Sequence, residues 1–159
     1  MATARVAWAE SVKPDSVVSA LCLGTVLLWG SATPAQTLVR RTTDGVFSPA
    51  QAARGETAFR ACTYCHGRDL RGGDDPPGPA LKGEIFLTKW RDRPVLDLFE
   101  FIAGTMPRDR PGTLEPQAYA DILAYLLLAN GMPSGGRDLA PDPDTLRDIR
   151  LAGNPLESF

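Results

Sequence analysis

Cys62-Thr63-Tyr64-Cys65-His66 puts two thiols and an imidazole within five residues. Cys-x-x-Cys-His is the pattern by which a haem is attached covalently to protein. Two thiols two residues apart fit the two vinyl groups of one porphyrin, and the adjacent imidazole then lies over the iron. A chain that carries a porphyrin in this way has to fold around it, which constrains the architecture more than any other feature here. His66 is also the only histidine among the 159 residues. Zinc and thiol redox sites use Cys-x-x-Cys as well. A structural zinc wants four Cys or His ligands, whereas the supply here stops at three, with Cys22 far upstream in an apolar run. A thioredoxin-like dithiol needs a βαβ context, and the flanking sequence reads instead as helices and Gly/Pro-rich loops.

Export agrees with covalent haem. Val17 to Trp29 is almost uninterruptedly apolar, follows Arg5 and Lys13, and leads into the small residues Gly30-Ser31-Ala32-Thr33-Pro34-Ala35. That is a secretory signal layout. Its apolar core is shorter than the roughly 20 residues that span a bilayer, which favours cleavage after Ala35 or Ala32 over a retained single-span anchor. Glu10 and Asp15 in the leading segment are what the anchor reading has in its favour. Leu21 precedes Cys22 where a lipidation site would want a small residue.

Residues 36–159 are then enough for one domain with one core. The chain has 17 Lys and Arg against 19 Asp and Glu, a net charge of −2, which points to neither nucleic acid nor a polybasic membrane contact. Membrane association would come only through an uncleaved anchor or a membrane-bound partner.

Residues 36–47 are polar without a sustained period and read as an extended arm. Ser48-Pro49-Ala50-Gln51 predicts a capping box with proline in the first helical position, opening a helix that runs into the cysteine motif. Gly55 and Phe59, four apart, share a face of that helix. Residues 67–83 hold five glycines and three prolines and form a loop. Asp74-Asp75-Pro76-Pro77 within it reads as a solvated turn.

Trp90 precedes a second helix that Asp92 caps, with Pro94 in its first turn and Gly104 at its end. Val95, Leu98, Phe99 and Ile102 give that helix one apolar face. Glu115 and Pro116 open a strongly periodic helix with Tyr119, Ile122, Leu123 and Leu126 on one stripe, stopped by Asn130-Gly131. Residues 134–159 are rich in Pro, Gly and Asp, with a short amphipathic stretch around 145–151. They read as an irregular tail that wraps the domain, docks on a partner, or stays disordered. A thioether is a soft ligand that suits iron and raises its potential when paired with histidine. The methionines are Met1, Met106 and Met132, and each of the last two precedes a proline.

From Gly55 to Gly131 the chain resembles class I monohaem cytochromes c, through Cys62-x-x-Cys65-His66, Gly78-Pro79-Ala80-Leu81, Trp90, Thr105-Met106-Pro107 and the helix from Tyr119 to Leu126. The resemblance implies an all-α fold of three to four main helices around one covalently bound haem c. In it Gly55 and Phe59 let the N-terminal helix cross the C-terminal one closely. Pro79, in the element that ends at Leu81, offers its carbonyl to the His66 ring, and Trp90 donates its indole N–H to a propionate. Met106, which comes before the last long helix, is favoured over Met132 as the distal iron ligand opposite His66. The domain itself would span 48–133, between the arm and the tail. Residues 106–114 and 125–133 also resemble the cytochrome subunits that accompany quinoprotein alcohol and sugar dehydrogenases.

The resemblance implies a periplasmic carrier of single electrons rather than an enzyme. Its partners would be redox proteins, a dehydrogenase as donor and an oxidase or another cytochrome as acceptor. It would work as a monomer or as the permanent subunit of a dehydrogenase complex. The rival expectation is a haem peroxidase or gas sensor in which Met106 leaves the sixth iron position open. The absence of a second histidine to serve as a distal base weighs against peroxidase chemistry.

Overall fold

The computed structural model describes residues 39–153. Residues 1–35, which the sequence reads as a secretory signal, lie outside them, and Cys22 with them. Helices dominate: α1 (Pro49–Phe59), the single turn α2 (Thr63–His66), α3 (Glu84–Trp90), α4 (Val95–Thr105), α5 (Pro116–Ala129) and α6 (Pro143–Arg147). Two three-residue 3-10 turns (Thr42–Asp44 and Arg60–Cys62) and four two-residue strands complete the described elements. β2 (Gly73–Asp74) and β3 (Pro77–Gly78) make an antiparallel hairpin, and β1 (Arg40–Arg41) pairs in parallel with β4 (Ile149–Arg150). Among the described residues no helix is long and apolar enough to cross a membrane.

Helix α1 starts as its sequence predicts, with Pro49 at the first position and the Ser48 hydroxyl accepting from the Gln51 N–H at 3.0 Å. The other half of the predicted capping box is not made. Gln51, completely buried, turns its amide to the far end of the chain, donating to the Leu139 carbonyl at 2.9 Å and accepting from the Leu139 N–H at 2.6 Å. Helices α1 and α5 cross where Gly55 has no side chain. A Cβ at Gly55 would lie 1.8 Å from the carbonyl oxygen of Asp121, so only glycine permits this approach. One turn on, the Phe59 and Tyr125 rings pack 5.4 Å apart.

Three boundaries differ from the sequence expectations. Helix α3 carries Trp90 at its last position, in a stretch without a cap signal, because Gly83 in front of it offers no capping side chain. Helix α4 has Pro94 as its cap rather than in its first turn, and it continues through Gly104 to Thr105. Asp92 does not cap it. Asp92 takes a left-handed backbone (φ 59°), donates its N–H to Leu151 and accepts from Arg41 at 3.0 Å.

The arm and the tail are parts of the core. Val46, Phe47, Leu139, Leu146, Ile149 and Leu151 are buried in one cluster with Trp90, Val95, Leu98, Leu123 and Leu127. Of the three expectations for residues 134–159, those described up to 153 wrap the domain. They include α6, which Asp142 caps by accepting from the Thr145 N–H at 2.8 Å, and strand β4. Apolar spacing explains this: Leu139, Leu146, Ile149 and Leu151 are separated by polar residues that hide the stripe in an average composition.

Candidate functional site

A second, smaller cluster is built from Phe59, Leu70, Ile122 and Leu126, and Cys62 packs against it. Cys62 ends a 3-10 turn and caps α2, so the two thiols and the imidazole leave a single tight stretch of helix. Both thiols are half-buried and free. Burial, then the neighbouring Cys65, pushes the Cys62 thiol up from its ordinary value, so the unreacted thiol stays protonated.

His66 is buried, with Nδ1 2.9 Å from the carbonyl oxygen of Pro79. A carbonyl can only accept, so the ring proton sits on Nδ1 and the lone pair is left on Nε2. Such a bond fixes the tautomer and orientation of a ligating imidazole and raises its basicity.

The loop that supplies Pro79 is pressed onto the cysteine turn. A Cβ at Gly78 would come within 2.1 Å of the Cys65 carbonyl oxygen, and one at Gly73 within 2.7 Å. The Gly72 N–H donates to the His66 carbonyl at 3.0 Å, and the Leu81 N–H to that of Leu70 at 2.8 Å. Leu70 holds a left-handed conformation (φ 64°) while fully buried, an unfavourable state for a branched side chain that its surroundings enforce.

The two methionines are placed very differently. Met106 caps the end of α4 and is half-buried, and its carbonyl accepts from the Tyr119 hydroxyl at 2.9 Å. Met132 lies in the main core at 1% exposure, with its sulfur accepting from the Thr42 hydroxyl at 3.2 Å. Trp90 belongs to that same core rather than to the cluster around Cys62. Its ring packs on Phe101 at 5.4 Å and carries Lys89 at 4.9 Å and Arg93 at 5.0 Å over its faces.

A haem fits what is present. The donor set comprises two reduced thiols, an imidazole with Nε2 open, and a methionine sulfur outside the packed core. Leu81, Phe99, Ile102 and Leu114 pack against the two clusters yet keep part of their surface, as side chains do where a flat apolar group is to cover them. Among the described residues no group of three His, Cys, Asp or Glu could hold a bare metal ion. Tyr119 and Asn130 are legible in the sequence only as an apolar-stripe residue and a helix stop. Nothing local signals their long-range bonds.

Fold and site together define an all-helical protein built around a covalently attached haem. Residues 50–126 match the family model described as Cytochrome C oxidase, cbb3-type, subunit III. The matched stretch contains the cysteine motif, Met106 and most of α5, and through it the chain belongs to the monohaem class I cytochromes c. No match was found among curated proteins or solved structures.

Proposed function

We propose that this cytochrome is an exported electron carrier whose haem would be joined to Cys62 and Cys65 and held by His66 Nε2 and the Met106 sulfur. When bound, the haem supplies one-electron exchange between Fe(II) and Fe(III). The chain's own work is to hold the ligands still. Pro79 orients the imidazole, and Leu81, Ile102 and Leu114 keep water from the buried face. A propionate contact by Trp90 would have to come through its indole N–H, since the ring itself is packed in the main core. Redox partners would meet such a carrier over a small, weak interface.

The observation that carries this reading is the 2.9 Å contact between His66 Nδ1 and the Pro79 carbonyl, which turns the chain's single imidazole into a preset ligand. The match to an oxidase-subunit family favours a second version, the same chemistry in a fixed respiratory subunit. Association with a quinoprotein dehydrogenase is a proposal of equal form.

The test is to express the chain with haem maturation and record spectra of parent and Met106→Ala. The parent is expected to keep its haem through denaturing extraction and to show, when oxidised, the long-wavelength sulfur-to-iron band that the variant loses. A colourless product with both thiols reactive would end the proposal. Co-purification with a membrane complex would select the fixed subunit over the free carrier.

A further inference from the structure

We propose that α5 is a brace that sets both iron ligands, with Asn130 and Tyr119 as its two positioning residues. The proposal rests on the ligand assignment above. The two residues stand at opposite ends of the helix, about 16 Å apart at 1.5 Å per residue.

At the C-terminal end the buried Asn130 side chain makes three of its four possible hydrogen bonds. Its Oδ1 accepts from the Gly83 N–H at 2.9 Å, and its Nδ2 donates to the carbonyls of Leu81 at 3.0 Å and Leu126 at 2.8 Å. Leu81 and Gly83 come two and four residues after Pro79. Asn130 thus anchors to α5 the segment whose carbonyl holds the His66 ring.

At the other end the buried Tyr119 hydroxyl donates to the Met106 carbonyl at 2.9 Å and accepts from the Leu114 N–H at 3.4 Å. Met106 and Leu114 are the two ends of one loop, so this hydroxyl ties that loop shut across its base. Phe99 meets the Tyr119 ring edge-on at 6.4 Å and fixes its direction. One rigid helix therefore references both ligands to the same frame.

The two contacts act on the iron in opposite senses. A hydrogen-bonded, more basic imidazole favours Fe(III), whereas a firmly held thioether raises the potential and favours Fe(II). Loosening the Asn130 anchor is expected to raise the reduction potential, and loosening the Tyr119 tie to lower it.

The experiment uses holoprotein carrying Tyr119→Phe, Asn130→Ala or Asn130→Asp. Each is measured for reduction potential, the sulfur-to-iron band and the rate at which the reduced form takes up carbon monoxide, a probe of sulfur release. Tyr119→Phe is expected to speed uptake about fivefold, the equivalent of one neutral hydrogen bond, and to lower the potential. Asn130→Ala is expected to raise the potential and leave uptake at the parent rate. If it yields no coloured protein, Asn130→Asp, which keeps the shape and the acceptor, is read in its place.

Shifts of the same sign, as general loosening would give, or no shift in either variant would overturn the brace. Met106→Ala separates this claim from the one beneath it. If that variant keeps the band, the ligand assignment fails and the brace falls with it. If it loses the band while the Tyr119 and Asn130 variants match the parent, the brace alone is overturned.

Discussion

Single atoms separate the two candidate sulfurs. The Met132 thioether is enclosed in the main core, and the Thr42 hydroxyl that donates to it also accepts the Ala152 N–H at 3.0 Å. Met132 thus ties α5's exit to the arm and the tail. Met132→Leu keeps the volume and is expected to cost less than about 1.5 kcal/mol in chemical denaturation, with the sulfur-to-iron band unchanged. Loss of the band in that variant would transfer the ligand role from Met106.

Gly55 is the other position where one atom decides. With a backbone carbonyl 1.8 Å from where a Cβ would stand, Gly55→Ala forces α1 and α5 apart. A destabilisation of about 3 kcal/mol, read as a lower denaturation midpoint, is the expected outcome. A midpoint within experimental error of the parent would show that the helices can slide.

Between elements, one ionic junction holds α1, α5 and the tail together. Arg54 reaches Asp121 with two nitrogens, at 2.9 and 3.1 Å, and Asp138 at 2.6 Å. Ser48 also donates to Asp138, and Gln117 to Asp121 at 2.8 Å. Burial by itself would raise the Asp121 carboxyl, but the bonds from Arg54 and Gln117 outweigh it and hold the group below its ordinary value. Bonds from Ser48 and Arg54 lower Asp138 in the same direction.

A carboxyl whose folded value is depressed contributes stability that is complete above its unfolded value, about 3.9 for aspartate. That contribution is lost as pH falls through the lower folded value. Unfolding midpoints are therefore expected to drop steeply below about pH 4. Asp121→Asn should be less stable at neutral pH and flatter in the acid range. An acid slope equal to the parent's would remove Asp121 from the junction.

These same elements show what a reader of the sequence can and cannot see. Helix α5 is evident from its stripe and α1 from Ser48-Pro49, because caps and periodicity are local. The His66–Pro79 pairing is legible only through a motif whose parts lie 13 residues apart. Gln51–Leu139, Asn130–Leu81 and Tyr119–Met106 are invisible, since any buried amide or phenol must bond somewhere and only the fold says where. Helix α3 escapes for the opposite reason: its cap is a glycine with no side chain to announce it.

At the scale of the whole molecule, the arm and the tail pack into the main cluster, not the one against which Cys62 packs. The arm meets the tail at Gly45 and Gly135: a Cβ on Gly135 would lie 2.0 Å from the Gly45 carbonyl oxygen, and the Gly135 N–H donates to the Phe47 carbonyl at 2.6 Å. Leu139, Leu146, Ile149 and Leu151 then fill the main core. Burial of each such side chain is worth roughly 1.5–3 kcal/mol before conformational entropy is counted. Removing all four takes away a large part of the 5–15 kcal/mol by which a typical domain is stable.

Truncation after Pro133 is therefore expected to abolish the folded protein, not to release a competent cytochrome from a partner. A gentler probe keeps the result interpretable. Leu146→Ala should cost about 2–5 kcal/mol and lower the thermal midpoint, yet leave the haem spectrum and reduction potential of the folded fraction unchanged, because Leu146 belongs to the cluster that excludes Cys62. A truncated chain that folded and kept the parent's spectrum would show that the wrapped segment is dispensable to the core and free to serve a partner instead.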